Sequence, residues 1–314
     1  MRKETVLTEG WRFAKTQASN CWRRSFDDSN FQQVQVPHDY AIEGPFDKNN
    51  DLQFIGIESD GRADGLAHSG RTGGLPIGER AVYRKELFVP LELQGNRVTL
   101  EFDGVMFNST VYVNDRKAGG WYYGYTSFEV DITSYVKFGQ KNLVAVLVEP
   151  HYGMSRWYTG AGIYRKVKLV YKNPAHIAFE GVCVRSELQG KGAKLAVQTD
   201  LCNLDAEEGL WLDSIVLSPS GDEVARVSAP VHILPSQTLE QQIQLCTAQL
   251  WDQQHPRLYC LISRLHKQDE VVDETKTVFG LRTLEFNQQG FYLNGKRTQI
   301  RGVCLHHDQG ALGA

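Results

Sequence analysis

The sequence predicts an all-β protein in which two β-sandwiches are followed by a hairpin and the first strand of a further domain. Short runs of alternating apolar residues recur between Arg97 and Phe279. No stretch sustains the 3.6-residue period of an amphipathic helix. Near the end, Asn294-Gly295 is the strongest short signal for a β-hairpin, because both central residues of a type I′ turn need positive φ.

The first predicted domain, residues 1–174, has the strand pattern of a jelly roll. Turn-rich segments separate its alternating runs, which include Val98/Leu100/Phe102, Val111/Val113, Leu143/Ala145/Leu147 and Val167/Leu169/Tyr171. Many short strands at this spacing indicate a sandwich with loops gathered at its edges. Gly, Asp and Asn crowd the stretch from Asp47 to Gly78, where we expect long ordered loops.

Aromatic residues concentrate at two places in this domain. One is Trp121-Tyr122-Tyr123-Gly-Tyr125, and the other is Trp157-Tyr158. Exposed aromatic faces with polar rims suit sugar rings, whose C–H faces are apolar and whose edges carry hydroxyls. The alternative is that these side chains plug the rim of the sandwich.

The second predicted domain, residues 175–282, has about seven strands in about 105 residues, which is what an immunoglobulin-like sandwich needs. Its apolar runs are Val182–Val184, Leu195–Val197, Trp211–Leu217, Ile243/Leu245, Leu258–Leu265 and Val271–Phe279. The segment Ser218-Pro-Ser-Gly-Asp222 predicts a hairpin turn between two strands. No residue pattern in this domain suggests chemistry.

The last segment, residues 283–314, reads as the start of an α/β barrel. Phe291–Leu293 should turn at Asn294-Gly295 onto Lys296–Leu305, whose apolar end is typical of a strand buried on both faces. His306, His307 and Asp308 follow directly. The C-terminal end of a barrel strand is where active sites lie.

Composition and charge exclude several classes of protein. With 41% hydrophobic and 23% charged residues the 314-residue chain has an ordinary globular composition. A net charge of -3 and a pI near 6.3 argue against nucleic acid or an anionic membrane surface as partner. Without an apolar export segment, the chain is expected in the cytoplasm, or in the periplasm or medium if a signal was removed.

Neither a cofactor nor a metal is predicted. There is no P-loop, no Gly-x-Gly-x-x-Gly and no Gly-x-Ser-x-Gly elbow. His306 and His307 are adjacent, so on a strand they would face opposite sides and bind one ion poorly. The six dispersed cysteines have no zinc spacing and are interpreted as small buried hydrophobic residues.

Six motifs in order resemble glycoside hydrolase family 2, and its β-galactosidases in particular. They are Val36–Tyr40, Asp103–Asn108, Gly124–Phe128, Ser155–Arg165, Phe279–Arg282 and Asn294–Asp308. The resemblance covers the whole chain. It implies a sugar-binding jelly roll, an immunoglobulin-like sandwich and then a TIM barrel, of which residues 283–314 are the incomplete start.

The resemblance also implies the reaction. Family members hydrolyse terminal β-glycosides with retention, using two Glu carboxyls about 5 Å apart as acid/base and nucleophile. In the family both residues come from later barrel strands, so no catalytic residue is expected within these 314 residues, and the chain alone is expected to be inactive. Residues 285–314 would then offer an apolar hairpin with open edges, which is expected to self-associate or to pack back onto the second sandwich.

The resemblance implies that this chain contributes substrate contacts. His306 matches a family position that hydrogen-bonds sugar hydroxyls, and His307 and Asp308 match neighbours that orient it. Asp39 matches a polar residue that reaches the active site, although the turn-prone Pro37-His-Asp also fits a capping role. Arg156 and Trp157 lie in the segment that lines the same pocket. Arg301 is equally consistent with a substrate contact and with a buried structural charge.

The expected substrate is a β-galactoside or a related oligosaccharide. The family's glucuronidases look like Asp-Phe-Phe-Asn-Tyr where this chain has Ser155–Thr159, which favours galactoside over glucuronide. Ser155 itself replaces an Asp that some β-galactosidases carry. The alternative function is a stand-alone carbohydrate-binding or interaction module without catalysis.

Overall fold

The computed structural model describes residues 2–47, 49, 54–59, 62–68, 78–150 and 158–303. This part of the chain is built of strands and short 3₁₀ turns, and none of its helices is long and apolar enough to cross a membrane. It forms two compact units, residues 4–171 and residues 172–303 with Arg2 and Lys3. We call them the first and the second sandwich.

The first sandwich consists of two sheets, with strand orders β1-β12-β7-β10 and β3-β2-β6-β11-β8-β9, and a separate pair, β4-β5. Its 3₁₀ turns are Tyr40–Glu43 and Leu91–Leu93. Its strands are β1 Lys3–Val6, β2 Trp11–Lys15, β3 Gln32–Val34, β4 Phe54–Ser59, β5 Arg62–His68, β6 Ala81–Val89, β7 Arg97–Phe102, β8 Ser109–Val113, β9 Arg116–Trp121, β10 Phe128–Asp131, β11 Gln140–Val148 and β12 Val167–Lys172.

The core of the first sandwich is rich in aromatic residues. Trp11, Tyr40, Tyr83 and Phe102 are fully buried and belong to one contiguous cluster. Trp11 meets Tyr83 edge to face, with ring centroids 6.4 Å apart. Since a fully buried large apolar side chain contributes roughly 1.5–3 kcal/mol, this cluster is the main stabilising feature of the unit.

Strand β11 is buried on both faces, which its alternating pattern does not predict. Val144, Val146 and Val148 point into the main core. Ala145 and Leu147 instead pack on the opposite face of the sheet, beneath the segment that contains Cys21, Trp22, Phe26 and Phe31. The predicted set Leu143/Ala145/Leu147 therefore marks a second, smaller cluster and not the sandwich core.

The expectation of loops alone between residues 47 and 78 is wrong for its central part. Strands β4 and β5 pair antiparallel there, with Phe54 opposite His68 and Ser59 opposite Arg62. A register shift between Ile57 and Glu58 interrupts the pairing. The glycines in this stretch favoured a loop prediction, so the two short strands were not predicted.

The second sandwich has the predicted seven strands in two sheets, ordered β13-β14-β17 and β16-β15-β18-β19. Hydrogen bonds between Ser218 and Asp222 close the predicted turn, which joins β15 to β16. A 3₁₀ turn spans Leu204–Ala206. The strands are β13 His176–Gln189, β14 Gly192–Cys202, β15 Leu210–Leu217, β16 Glu223–Pro230, β17 Ser236–Leu245, β18 Tyr259–Lys267 and β19 Glu270–Phe279.

A buried polar layer divides the core of the second sandwich into two apolar clusters. Strands β14, β15, β17 and β18 each place a polar residue between members of the two clusters: Thr199, Ser214, Gln241 and Ser263. Ser214 Oγ donates to Gln241 Oε1 at 2.7 Å, and Gln241 Nε2 donates to the Leu212 carbonyl at 3.1 Å. Because moving a strand by one residue would break this pairing, the layer favours a single register.

The prediction that the cysteines are buried is wrong for most of the five described. Only Cys21 is buried; Cys183 and Cys246 are exposed, and Cys202 and Cys260 are half-buried. Cys21, Cys183, Cys246 and Cys260 are free thiols. Apolar neighbours led to the error, since Cys183 lies on the solvent side of a half-buried strand.

The described residues end in a small sheet of the second unit, ordered β20-β21-β22. Its strands are β20 Leu284–Asn287, β21 Gly290–Leu293 and β22 Lys296–Arg297. The predicted turn is confirmed: Asn294 has φ of 52° and Gly295 has φ of 73°. Strand β20 was not predicted.

The predicted long second arm is wrong in the described residues, because the strand ends at Arg297. Ile300 and Val303 are 66% and 90% exposed, so the described residues cover neither face of this segment. Arg301 is exposed too and lies 3.4 Å from Gln299 Oε1. Its pairing with a barrel carboxylate stays a prediction.

Candidate functional site

Four of the six motif segments meet in one group of loops on the first sandwich. We call residues 36–44, 103–108, 121–128 and 158–165 the loop cluster. Backbone hydrogen bonds join its segments: His38 N to Ile163 O, Tyr40 N to Ala161 O, Met106 N to Gly162 O, Gly162 N to Met106 O, and Asn108 N to Tyr122 O, all between 2.6 and 3.1 Å. Residues distant in sequence are thus brought to one end of the sandwich.

Gly162 lies at the centre of the loop cluster, where no side chain fits. Its φ is +112°, which disfavours residues with a Cβ. A Cβ there would lie 2.3 Å from the Tyr83 hydroxyl and 2.8 Å from the His38 carbonyl. The glycine therefore lets two segments approach each other closely.

Asp39 is buried and anchors two segments of the loop cluster. Its carboxylate caps the 3₁₀ turn by accepting from Ala41 N at 3.0 Å, and it accepts from Ala161 N at 2.8 Å. Its second oxygen accepts from the hydroxyl of Tyr158 at 2.6 Å. The capping role, one of the two alternatives considered for this residue, is present.

Beside Asp39, the half-buried His38 contacts the buried Tyr83. His38 Nδ1 lies 2.8 Å from the Tyr83 hydroxyl. Burial lowers the pKa of His38 below 6.5, and the nearby Glu43 and Asp39 only partly offset this effect. Burial also raises the pKa of Tyr83 well above 10. Both groups are therefore neutral near pH 7, and they position the loops without carrying charge.

The opposite side of the loop cluster is closed by Tyr164. Its hydroxyl donates to the Gly124 carbonyl at 2.9 Å. Burial raises the pKa of Tyr164 to about 12, so the hydroxyl keeps its proton under ordinary conditions. Arg165 reaches the Tyr125 carbonyl at 3.4 Å and stacks on the Tyr164 ring.

One of the two predicted aromatic groups is exposed within the loop cluster. Trp121, Tyr122 and Tyr123 are 46%, 60% and 56% exposed. By contrast, Tyr158 of the second group is buried and holds Asp39. For these four residues, the plugging interpretation fits Tyr158 and not the other three.

Of the six predicted substrate-contact residues, only Asp39 is among the described residues. His306, His307, Asp308, Arg156 and Trp157 lie outside the described residues. Within the described part of the chain, no group of three His, Cys, Asp or Glu side chains is placed to hold a metal ion.

The sequence did not predict two residues that position the loops. Tyr158 is 119 residues from Asp39, and Tyr83 lies within an apolar strand. No local pattern marks either residue as a partner of the Pro37-His-Asp turn. Only the order of the motifs hints that their segments meet.

Comparison with known proteins agrees with this geometry. A model described as "Glycosyl hydrolases family 2, sugar binding domain" matches residues 76–174, and one described as "Glycosyl hydrolases family 2" matches residues 175–282. The chain belongs to glycosyl hydrolase family 2. Much of the loop cluster lies within the match to the sugar-binding domain.

Two curated relatives and one solved structure show the extent of the similarity. The β-galactosidase BoGH2A of Bacteroides ovatus is 35% identical over 100% of this chain and 36% of its own length. A β-glucuronidase of Formosa agariphila is 26% identical over 93% of this chain and 31% of its length. A family 2 member from Bacteroides cellulosilyticus superposes with a TM-score of 0.86 at 32% identity, covering 99% of this chain and 39% of that one.

The chain thus spans about a third of the length of the curated relatives that it matches.

Proposed function

We propose that this chain is the sandwich portion of a retaining exo-β-glycosidase that hydrolyses terminal β-galactosides. The observation that carries the proposal is the loop cluster, because it gathers the motifs through which the chain resembles β-galactosidases into one buried, hydrogen-bonded arrangement. The similarity to BoGH2A over the whole chain supports it.

In this proposal the loop cluster forms one wall of the substrate pocket. Asp39 would act mainly by fixing the loops, since both of its oxygens already accept hydrogen bonds. Arg156 and Trp157 would contact the sugar from the same side. His306 would hydrogen-bond its hydroxyls, with His307 and Asp308 orienting the imidazole. The acid/base and nucleophile carboxylates would come from a barrel that this chain does not contain.

The test is hydrolysis of nitrophenyl β-galactoside and nitrophenyl β-glucuronide. Both should be offered to the 314-residue chain and to a form extended through a full barrel. We expect activity in the extended form alone, and on the galactoside. Activity of the short chain would put a catalytic pair within residues 1–314, and preference for the glucuronide would refute the substrate assignment.

A stand-alone carbohydrate-binding module is the second candidate. The exposed Trp121, Tyr122 and Tyr123 favour it, because such a surface can bind sugar without a barrel. Sugar binding by the short chain, with no hydrolysis by either form, would select this candidate.

A further inference from the structure

Trp121 is the outer member of a stack of three aromatic rings that starts in the core. Phe102 and Phe128 lie opposite each other on neighbouring strands, with centroids 4.8 Å apart and planes 9° apart. Trp121 lies nearly parallel to Phe128, at 6.1 Å and 14°. The exposed fraction rises along the stack from 0% to 4% to 46%. The stack presents an indole at the surface on a buried support.

The position of Trp121 is fixed at both its backbone and its side chain. Its backbone N donates to Ser109 Oγ at 3.3 Å, and Ser109 Oγ donates to its carbonyl at 3.1 Å. Its indole Nε1 donates to Thr126 Oγ1 at 2.9 Å. A side chain that is already ordered loses little conformational entropy when a ligand stacks on it.

Two tyrosines extend the same surface. Tyr122 and Tyr123 follow Trp121 directly and are more than half exposed. The Tyr123 ring meets Tyr125 edge to face at 5.5 Å. An aromatic body with a hydroxyl tip can contact both the apolar face and the polar edge of a sugar ring. Most other large exposed apolar residues in the described chain are aliphatic, such as Val224 and Ile233, and do not offer this combination.

Hydrogen bonds join this surface to the other segments of the loop cluster. Tyr122 O accepts from Asn108 N, and Gly124 O accepts from the Tyr164 hydroxyl. Asn108 and Tyr164 lie in the segments 103–108 and 158–165, which Met106 and Gly162 join by two backbone hydrogen bonds. The aromatic side chains therefore stand on the same hydrogen-bonded loops that Asp39 anchors.

We propose that Trp121, Tyr122 and Tyr123 form a stacking platform for further sugar rings, so that the substrate is a β-linked galacto-oligosaccharide and not a simple galactoside. The inference rests on the proposed function and deepens it by assigning a substrate length. The alternative occupant of such a surface is a second copy of this chain.

The experiment is isothermal titration of the 314-residue chain with β-1,4-galactotriose and with methyl β-galactoside. The chain should bind the trisaccharide more tightly than the monosaccharide. Trp121→Ala should weaken trisaccharide binding roughly tenfold, the equivalent of one lost apolar contact of about 1.4 kcal/mol. Trp121→Phe should keep most of the affinity, since it retains a flat ring. Trp211→Ala is the matched control, because Trp211 is 43% exposed in the second sandwich.

Several results would overturn the inference. They are the absence of trisaccharide binding, equal affinity for the two ligands, or unchanged affinity in Trp121→Ala. If sedimentation shows a dimer that Trp121→Ala dissociates, the surface binds a second copy of this chain and not a sugar. Tyr123→Ala, which lies outside the ring stack, provides the same test if circular dichroism shows Trp121→Ala to be unfolded.

The outcomes separate this inference from the proposed function. If the extended form fails to hydrolyse nitrophenyl β-galactoside while the short chain binds galactotriose through Trp121, the catalytic proposal fails and the platform stands. If hydrolysis occurs but Trp121→Ala binds the trisaccharide normally, the platform fails alone.

Discussion

The two sandwiches use buried polar residues for different purposes. In the first, Asp39 and His38 lie in the loop before the 3₁₀ turn, and they bind residues that are far apart in sequence, such as Ala161 and Tyr83. In the second, Ser214 and Gln241 lie in the middle of strands and bind each other across the core. The first arrangement fixes loops, whereas the second fixes strand register.

This difference indicates where a ligand can be held. Loops that are positioned by a rigid scaffold are where binding residues usually occur. The first sandwich has such loops, and they carry an exposed aromatic surface. The polar groups in the second stabilise the fold, which agrees with the absence of any chemical motif in its sequence.

The largest effect is expected for Asp39→Ala. The change leaves two buried backbone N–H groups and the Tyr158 hydroxyl without their acceptor. At about 1–3 kcal/mol for each unsatisfied group, the first sandwich should lose at least about 3 kcal/mol. Hydrogen exchange measured by mass spectrometry should show faster exchange in β2 and β6, with β14 and β17 unchanged.

Asp39→Asn is the matched variant, since it keeps one oxygen as acceptor for the two backbone donors. It should cost clearly less than Asp39→Ala. If the two substitutions cost the same, the charge and not the capping geometry would be what stabilises the loops.

A moderate effect is expected for Ser214→Ala in the polar layer. Gln241 Oε1 would lose its donor in a buried position, which costs roughly 1–3 kcal/mol. Urea unfolding should show the loss, and hydrogen exchange should confine it to the second sandwich. Adding Gln241→Leu should recover part of the stability, because it removes the orphaned acceptor. A double variant less stable than Ser214→Ala would contradict this explanation.

A smaller effect is expected from pH through His38. Its pKa in the folded state is lowered from 6.5 by burial, so the unfolded chain binds the proton more readily. The contribution of the neutral imidazole is fully present above pH 6.5. It is lost as the pH falls through the folded pKa. In thermal melts between pH 7.5 and about pH 5, His38→Gln should flatten this part of the stability profile. If the stability of the unchanged chain and of His38→Gln falls in parallel over this pH range, His38 does not cause the pH dependence.

The sequence predicted the features that depend on local chemistry. Asn294-Gly295 formed the expected turn because both residues tolerate positive φ. The seven strands of the second sandwich followed from two-residue alternation and turn residues. The order of the six motifs led to the family, which the two matched models support.

The remaining features depend on contacts between distant residues. The hydrogen bond from Tyr158 to Asp39 spans 119 residues, and nothing in either segment specifies its partner. The second face of β11 is buried only because residues of the 18–31 segment fold over it. The polar layer looks like ordinary alternation along each strand, and it becomes a layer only when Thr199, Ser214, Gln241 and Ser263 are brought together.

The most direct test of the central claim, that the loop cluster serves the substrate and the polar layer serves the fold, is a comparison of kcat/KM. Nitrophenyl β-galactoside hydrolysis should be measured for the barrel-extended form carrying Asp39→Asn or Ser214→Ala, at a temperature where both variants are folded. The account predicts a loss of roughly tenfold or more for Asp39→Asn, since misplaced positioning groups reduce transition-state binding, and no change for Ser214→Ala. Equal kcat/KM in the two variants would contradict it.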